Sequence, residues 1–197
     1  NESWGIWGVR DQKEVQQGVI DTVNWTRRYD ATRPVIDNSG WEHVDTDIAD
    51  VHSYLRTAEQ LHVWWPCYRA GQTYVYDSGY PFFAHGYRYH GQPVVFSEYG
   101  GMAIEGYPAP ANKPIQACGI DTPEKYPQRY HDLTRGILDM EDVCGFCFTQ
   151  LTDVEGEVNG LLTYDRRPKV DPEVIAAYNR EPPARFPIGE LVVKTCS

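Results

Sequence analysis

Pro93-Val94-Val95-Phe96-Ser97-Glu98-Tyr99-Gly100-Gly101 is the stretch that decides the fold. Its apolar residues follow one another without alternation, the pattern of a strand buried on both faces, as in a parallel sheet. The run ends in Ser97 and Glu98. Parallel α/β folds meet their ligands at the carboxyl ends of strands, so Glu98 stands where chemistry is done. A second glutamate, Glu2, lies in Asn1-Glu2-Ser3-Trp4-Gly5, ahead of any segment that reads as a strand.

Working outward, strands and helices alternate. Residues 11–29 predict a helix, with Val15, Val19 and Val23, and also Gln16 and Ile20, at i, i+4 spacing. Residues 33–38 read as a short strand ending in Asp37-Asn38, and residues 48–54 as another ending in His52-Ser53-Tyr54. Residues 57–69 predict a helix closed by Gly71. On it, Trp64-Trp65 is expected to pack inward rather than to serve as a sugar platform. Residues 100–119 read as a loop rich in Gly, Pro and Ala. Thr122-Pro123-Glu124 is a helix start, with Tyr126, Tyr130, Leu133 and Ile137 as its buried stripe. Residues 143–149 are the last predicted strand, and Asp171-Pro172 opens a last helix. The order predicts a parallel α/β layout.

Composition narrows the function. The 197 residues suffice for one domain with a core, and 41% hydrophobic with 23% charged residues is a globular balance. A net charge of −10 argues against nucleic acid and anionic membranes as partners, because phosphate neutralisation needs a basic face. It also makes a highly acidic polymer an awkward substrate. No apolar run is long enough to span a bilayer. Cys144-Gly145-Phe146-Cys147 has the spacing of a redox or zinc motif. On a strand, residues three apart face opposite ways, so reduced thiols packed in a core are expected instead. Asp153, Glu155, Glu157 and Asn159 alternate as calcium ligands can, but without the Asp-x-Asp-x-Asn-Gly order, and a solvated acidic loop is expected. His52 and His85 are read as cleft histidines rather than metal ligands. No metal and no cofactor is expected, and the sequence assigns no compartment.

All four predicted strands end in polar residues: Asp37-Asn38, His52-Ser53-Tyr54, Ser97-Glu98-Tyr99, and Thr149-Gln150 running on to Thr152-Asp153. With these residues in view, the chain resembles the catalytic barrel of glycoside hydrolase family 2, the β-galactosidase, β-glucuronidase and β-mannosidase family of clan A. Asn1-Glu2 resembles the Asn-Glu at the end of that family's fourth strand, where Glu is the acid/base. Ser97-Glu98-Tyr99-Gly100 resembles the nucleophile motif ending the seventh. Residues 50–54 look like the sixth strand, whose Tyr contacts the nucleophile. Residues 149–161 are similar to the eighth strand and its loop, and residues 164–169 to the approach to the last helix. The resemblance implies the C-terminal portion of a (β/α)8 TIM barrel, strands 5–8 with the end of strand 4, spanning residues 1–197. The barrel's earlier strands and the family's β-sandwich domains are absent from this sequence. The Asn-x-Lys carboxylate-binding pattern of the glucuronidases is not met, since Asn112 and Lys113 are adjacent.

The implied activity is a retaining β-glycosidase, β-galactosidase-like in the first instance, acting on a β-linked sugar or oligosaccharide. Glu98 would be the nucleophile and Glu2 the acid/base, about 5–5.5 Å apart. A nucleophilic carboxylate needs hydrogen bonds to stay ionised, with Tyr54 the candidate donor. The acid needs an apolar wall, which Trp4 and Trp7 could supply. Asn1, His52, Tyr54, Gln150 and Asp153 are the expected substrate-binding residues. The competing expectation is a non-catalytic carbohydrate-binding or interaction module with a barrel-derived surface. Four strands cannot close a barrel. The isolated chain is therefore expected to be inactive. It should self-associate along open sheet edges or depend on the N-terminal remainder of a parent protein. An α-ammonium at Asn1 would add to this by favouring the ionised form of Glu2.

Overall fold

The computed structural model describes residues 2–71, 79–110 and 113–182. Its centre is a three-stranded parallel sheet in the order β1-β2-β5, made of β1 (Ala49–Ser53), β2 (Val94–Gly100) and β5 (Val143–Thr149). A two-stranded parallel sheet, β3 (Ala103–Ile104) and β4 (Ile120–Asp121), lies within and just after the segment expected to be all loop. The helices are α1 (Lys13–Tyr29), α2 (Ala58–Arg69), α3 (Tyr126–Leu138) and α4 (Pro172–Arg180). α2 joins β1 to β2, and α3 lies between β2 and β5, so both connections are helical crossovers, as parallel strands require.

The main core lies between the sheet and α2 and α3. Val51, Val94, Phe96, Leu61, Trp65, Leu133 and Ile137 are all buried there. Burying each such side chain stabilises the fold by about 1.5–3 kcal/mol relative to exposing it. Trp64 and Trp65 both pack inward, as expected. α1 forms a second cluster with Val9, Val44 and Ala84 through Val19 and Val23. Gln16 is buried on that same stripe. Its amide donates to the carbonyls of Val9, Arg10 and His85, so the polar group is not left unmatched.

Helix starts follow local chemistry. Thr57 caps α2 by accepting from the Gln60 amide, and Asp171 caps α4 by accepting from Glu173, with Pro172 at the first turn. Thr122-Pro123-Glu124 forms a turn one step ahead of α3, with Lys125 and Tyr126 amides both reaching the Thr122 carbonyl.

Two expectations need correction. Residues 33–38 do not form a strand. Carboxylates answer two of the segment's amides: Asp47 accepts from Val35, and Asp37 from Asn38. The expected run of four strands is therefore three. Cys144 and Cys147 are both exposed rather than packed in a core. The register of β5 slips beside Val94 and Val95, which pair with Val143 and Gly145, so Cys144 bulges out of the ladder.

Candidate active site

Period two puts Asp50 and His52 of β1 on one face of the sheet. On β2 the alternation is broken: Val51 pairs with Phe96 but His52 pairs with Glu98, so Ser97 is the extra residue of a β-bulge. Bulges re-aim side chains. Here Ser97 and Glu98 both reach the same cluster although they are adjacent. Ser97 Oγ donates to Asp50 Oδ2, and Glu98 Oε2 accepts from Tyr54 at 2.5 Å.

Glu2 arrives without a strand. A 3-10 turn over Ser3–Gly5 holds it, with the Gly5 amide on the Glu2 carbonyl and Ser3 Oγ accepting from Asn38 at 3.0 Å. Its carboxylate accepts from the Trp4 indole at 2.6 Å. Its other oxygen lies 3.0 Å from His52 Nδ1, which in turn is 3.4 Å from Glu98 Oε2. One oxygen of each glutamate and the His52 nitrogen all fall within 4.8 Å of one another. By distance alone these three donors could surround a cation. Trp4 and Tyr54 already donate to the two carboxylates, and the cluster reads as a hydrogen-bonded one.

Tyr54 is matched to its role as a donor. Burial, then the hydrogen bond and negative charge of Glu98, push its phenol well above the ordinary value, so it keeps its proton. Asp50 is buried and takes its hydrogen bonds from Ser39, Gly40 and Ser97. Gly40 adopts φ +89°, and a Cβ there would come within 2.6 Å of the His52 ring. Only glycine allows the loop to lie against the imidazole.

The cluster opens into a cleft of about 480 Å³. The wall over Glu2 is Trp4 and Trp41. Trp41 is buried edge-on to both His52 and Trp4 and stacked on Tyr80. Trp7, expected to share that wall, is 81% exposed and outside the cleft lining. Gln150, joined to Thr149 by a cis peptide, lines the opposite side and donates to Glu157 at 3.1 Å and Asn159 at 2.9 Å. Gln116 and Cys118 complete that side.

Of the expected site residues, Glu2, His52, Tyr54, Glu98 and Gln150 come together in this cleft. Asn1 lies outside the described residues. Asp153 does not join them. It is buried, accepts from the Gly160 amide, and pairs at 2.6 Å with Lys169, whose ammonium is also buried. A buried ammonium needs a carboxylate partner, and Asp153 fills that structural place. The calcium-like alternation likewise disperses, with Glu155 on Lys113 and Glu157 and Asn159 on Gln150. His85 is exposed on Asp11, far from His52 in its contacts. The residues missed by sequence reading are Trp41, Gln116, Cys118 and, as cleft residues, Glu157 and Asn159. Their segments carry no periodicity.

No family model matches the chain, and no curated protein matches it. Solved structures do match in fold. A GH2 β-galacturonidase from Eisenbergiella tayi bound to galacturonate superposes with a TM-score of 0.57 at 16% identity, over 88% of this chain and 32% of that one. A β-D-glucuronidase from Dictyoglomus thermophilum gives 0.53 at 18%, over 87% and 30%. A Bifidobacterium dentium β-glucuronidase complexed with coumarin-3-O-glucuronide gives 0.56 at 17%, over 88% and 29%. The chain thus shares its parallel α/β fold with part of these enzymes and spans about a third of their length.

Proposed function

We propose that this chain carries the catalytic carboxylates of a retaining β-glycosidase of family 2 type, with β1, β2 and β5 as the sixth to eighth strands of its barrel. One observation carries the reading: two glutamates from distant parts of the chain come within 4.8 Å of each other in a cleft at the strand ends. That spacing suits direct attack on the anomeric carbon, whereas an inverting pair needs about 6.5–9.5 Å to admit a water. Glu98, held by the Tyr54 hydroxyl, is the nucleophile. Glu2, under the Trp4 and Trp41 wall, is the acid/base. Gln150, Glu157 and Asn159 offer amide and carboxylate partners for sugar hydroxyls.

The substrate is a neutral β-hexoside, β-galactoside-like, rather than a uronide. Among the described residues, no Lys or Arg lines the cleft, while Glu2, Glu98 and Glu157 do. A sugar carboxylate would enter an acidic site with no cation to receive it. Lys113 is engaged by Glu155 at 2.8 Å.

The test is hydrolysis of a panel of β-linked nitrophenyl sugars by the full-length protein and two variants of it. Glu98→Gln is expected to abolish the covalent adduct formed with a 2-fluoro glycoside. Glu2→Gln is expected to spare substrates with good leaving groups far more than poor ones, because the acid matters only when the leaving oxygen needs a proton. Equal losses across leaving groups would reverse the roles or remove them. Sugar binding without turnover in the unaltered protein would point to a carbohydrate-binding module instead.

A further inference from the structure

Proton counting around Asp50 leads to a residue pair that acts behind the catalytic carboxyls, and it rests on the reading of Glu2 as the acid. Asp50 is 1% exposed, and its Oδ2 takes hydrogen bonds from Ser39 Oγ at 2.8 Å, the Gly40 amide at 3.1 Å and Ser97 Oγ. Three donors converging on that one oxygen leave it an acceptor with no proton to give. The proton between Ser39 and Asp50 therefore belongs to Ser39. A serine hydroxyl has one proton to give. Ser39 Oγ also lies 3.0 Å from His52 Nε2. With its own proton committed to Asp50, Ser39 must accept there, so His52 is protonated at Nε2.

The other ring nitrogen is then bare in the neutral imidazole. His52 Nδ1 is buried, 3.0 Å from Glu2 Oε1 and 3.4 Å from Glu98 Oε2. Three lone pairs meeting there repel one another unless a proton lies among them. Glu98 Oε2 already accepts from Tyr54. Nδ1 and Glu2 Oε1 are left to share it.

We infer that Ser39 and Asp50 are positioning residues that hold the Nε2 proton of His52, so that Nδ1 is the ring nitrogen that shares a proton with Glu2 between turnovers. In the first half-reaction that proton passes from Glu2 to the glycosidic oxygen as its bond to the anomeric carbon breaks and Glu98 bonds to that carbon. In the second, Glu2 takes a proton from water as the water oxygen bonds to the anomeric carbon and the Glu98–sugar bond breaks. The Nε2 proton stays in place at either step. The charged and titratable groups facing the pair are Asp50 on β1, Tyr54 just after it, Glu98 on β2, and Glu157 and Cys118 across the cleft. Behind Asp50 lie His43, whose Nε2 meets the Asp50 carbonyl at 2.8 Å, and its partner Asp37. Glu98, Asp50 and Glu157 all favour keeping a proton within the cluster.

Two-bond proton–nitrogen spectra of the labelled protein report which imidazole nitrogen carries hydrogen, with His52→Gln assigning the signal. Across about pH 6–9, where imidazoles lose their charge, Nε2 of His52 is expected to stay protonated, and the Glu2 carboxyl carbon shift is read alongside it. Ser39→Ala should move His52 toward Nδ1–H, and Ser39→Thr should restore Nε2–H. An Nδ1–H tautomer in the unaltered protein, an ionised Glu2 beside bare Nδ1, or an unchanged tautomer in folded Ser39→Ala would each overturn the lock. If Ser39→Ala does not fold, the first two measurements still decide. The spectra need no sugar turnover. A locked Nε2 proton in a full-length protein without glycosidase activity would therefore sink the proposed function and leave the lock standing.

Discussion

Tyr54 illustrates what a single residue contributes here. Its phenol is held protonated by burial and by the Glu98 charge, and it returns a short hydrogen bond to that charge. Hydrogen bonds to charged groups contribute about 1.5–3 kcal/mol. Tyr54→Phe is therefore expected to lower kcat/KM by about 10- to 100-fold while leaving the fold intact. Steady-state kinetics of the full-length protein on one nitrophenyl β-glycoside decides this, and a loss below threefold would show that Glu98 holds its charge without Tyr54. Tyr54 was recognisable in the sequence because it follows a strand ending in polar residues. Trp41 was not, because a buried indole in an irregular loop leaves no pattern to read. Asp153 had the right residue type at a strand end, yet the Lys169 ammonium sixteen residues on claims its carboxylate.

Between elements, close approach and buried charge govern. α2 and α3 pack side by side, and at Gly136 an added Cβ would sit 2.8 Å from the Ala58 Cβ and 3.2 Å from its Cα. Gly136→Ala gains up to about 1 kcal/mol of helix propensity. Overpacking against backbone costs about 1–3 kcal/mol. The second effect wins, so the variant is expected to melt at a lower temperature, and a raised Tm would mean the helices slide apart freely. The loop before β1 is held instead by the buried pair Asp37 and His43, 2.7 Å apart. Burial pushes the Asp37 carboxyl up, but the His43 hydrogen bond and charge and the amides of Val44 and Asp45 outweigh it and hold it low. Burial pushes His43 down, but Asp37 and Asp50 outweigh that and raise it. A lowered Asp stabilises above its unfolded value near 3.9 and loses this as pH falls further. A raised His stabilises fully below about 6.5 and loses this as pH rises through its folded value. Asp37→Asn should therefore destabilise most between about pH 4 and 6.5. Urea midpoints measured across that range check it, and a flat difference would remove the charge from the account.

At the scale of the molecule, the aromatic core sets an alkaline limit. Burial is the leading cause that raises Tyr54, Tyr99 and Tyr126 well above the ordinary phenol value. A phenol raised in the fold contributes stability that is whole below its unfolded value near 10 and is lost as pH climbs toward the folded value. The protein is expected to unfold above about pH 10, with part of the phenolate absorbance appearing together with the loss of far-UV circular dichroism. If all fourteen tyrosines ionise with the circular dichroism unchanged, the core is more open than the burial of these rings implies.

The amino-acid sequence alone determined the parallel α/β class, the helices α1, α2 and α4, and the strands about Val51, Phe96 and Phe146, with Glu98 at a strand end. These are local quantities: apolar runs, i, i+4 stripes, caps, and polar residues at strand ends. Glu2 entered as its partner through the resemblance of two short motifs to family 2. Only the tertiary structure decided that residues 33–38 are no strand, since that depends on which groups answer their amides. It alone turned Ser97 and Glu98 toward one cluster through a bulge, put Trp41 rather than Trp7 over the cleft, and gave Asp153 to Lys169. The Ser39, Asp50 and His52 chain is of the same kind. Hydrogen-bond partners and buried charges are properties of neighbours in space, and spacing along the chain carries no record of them.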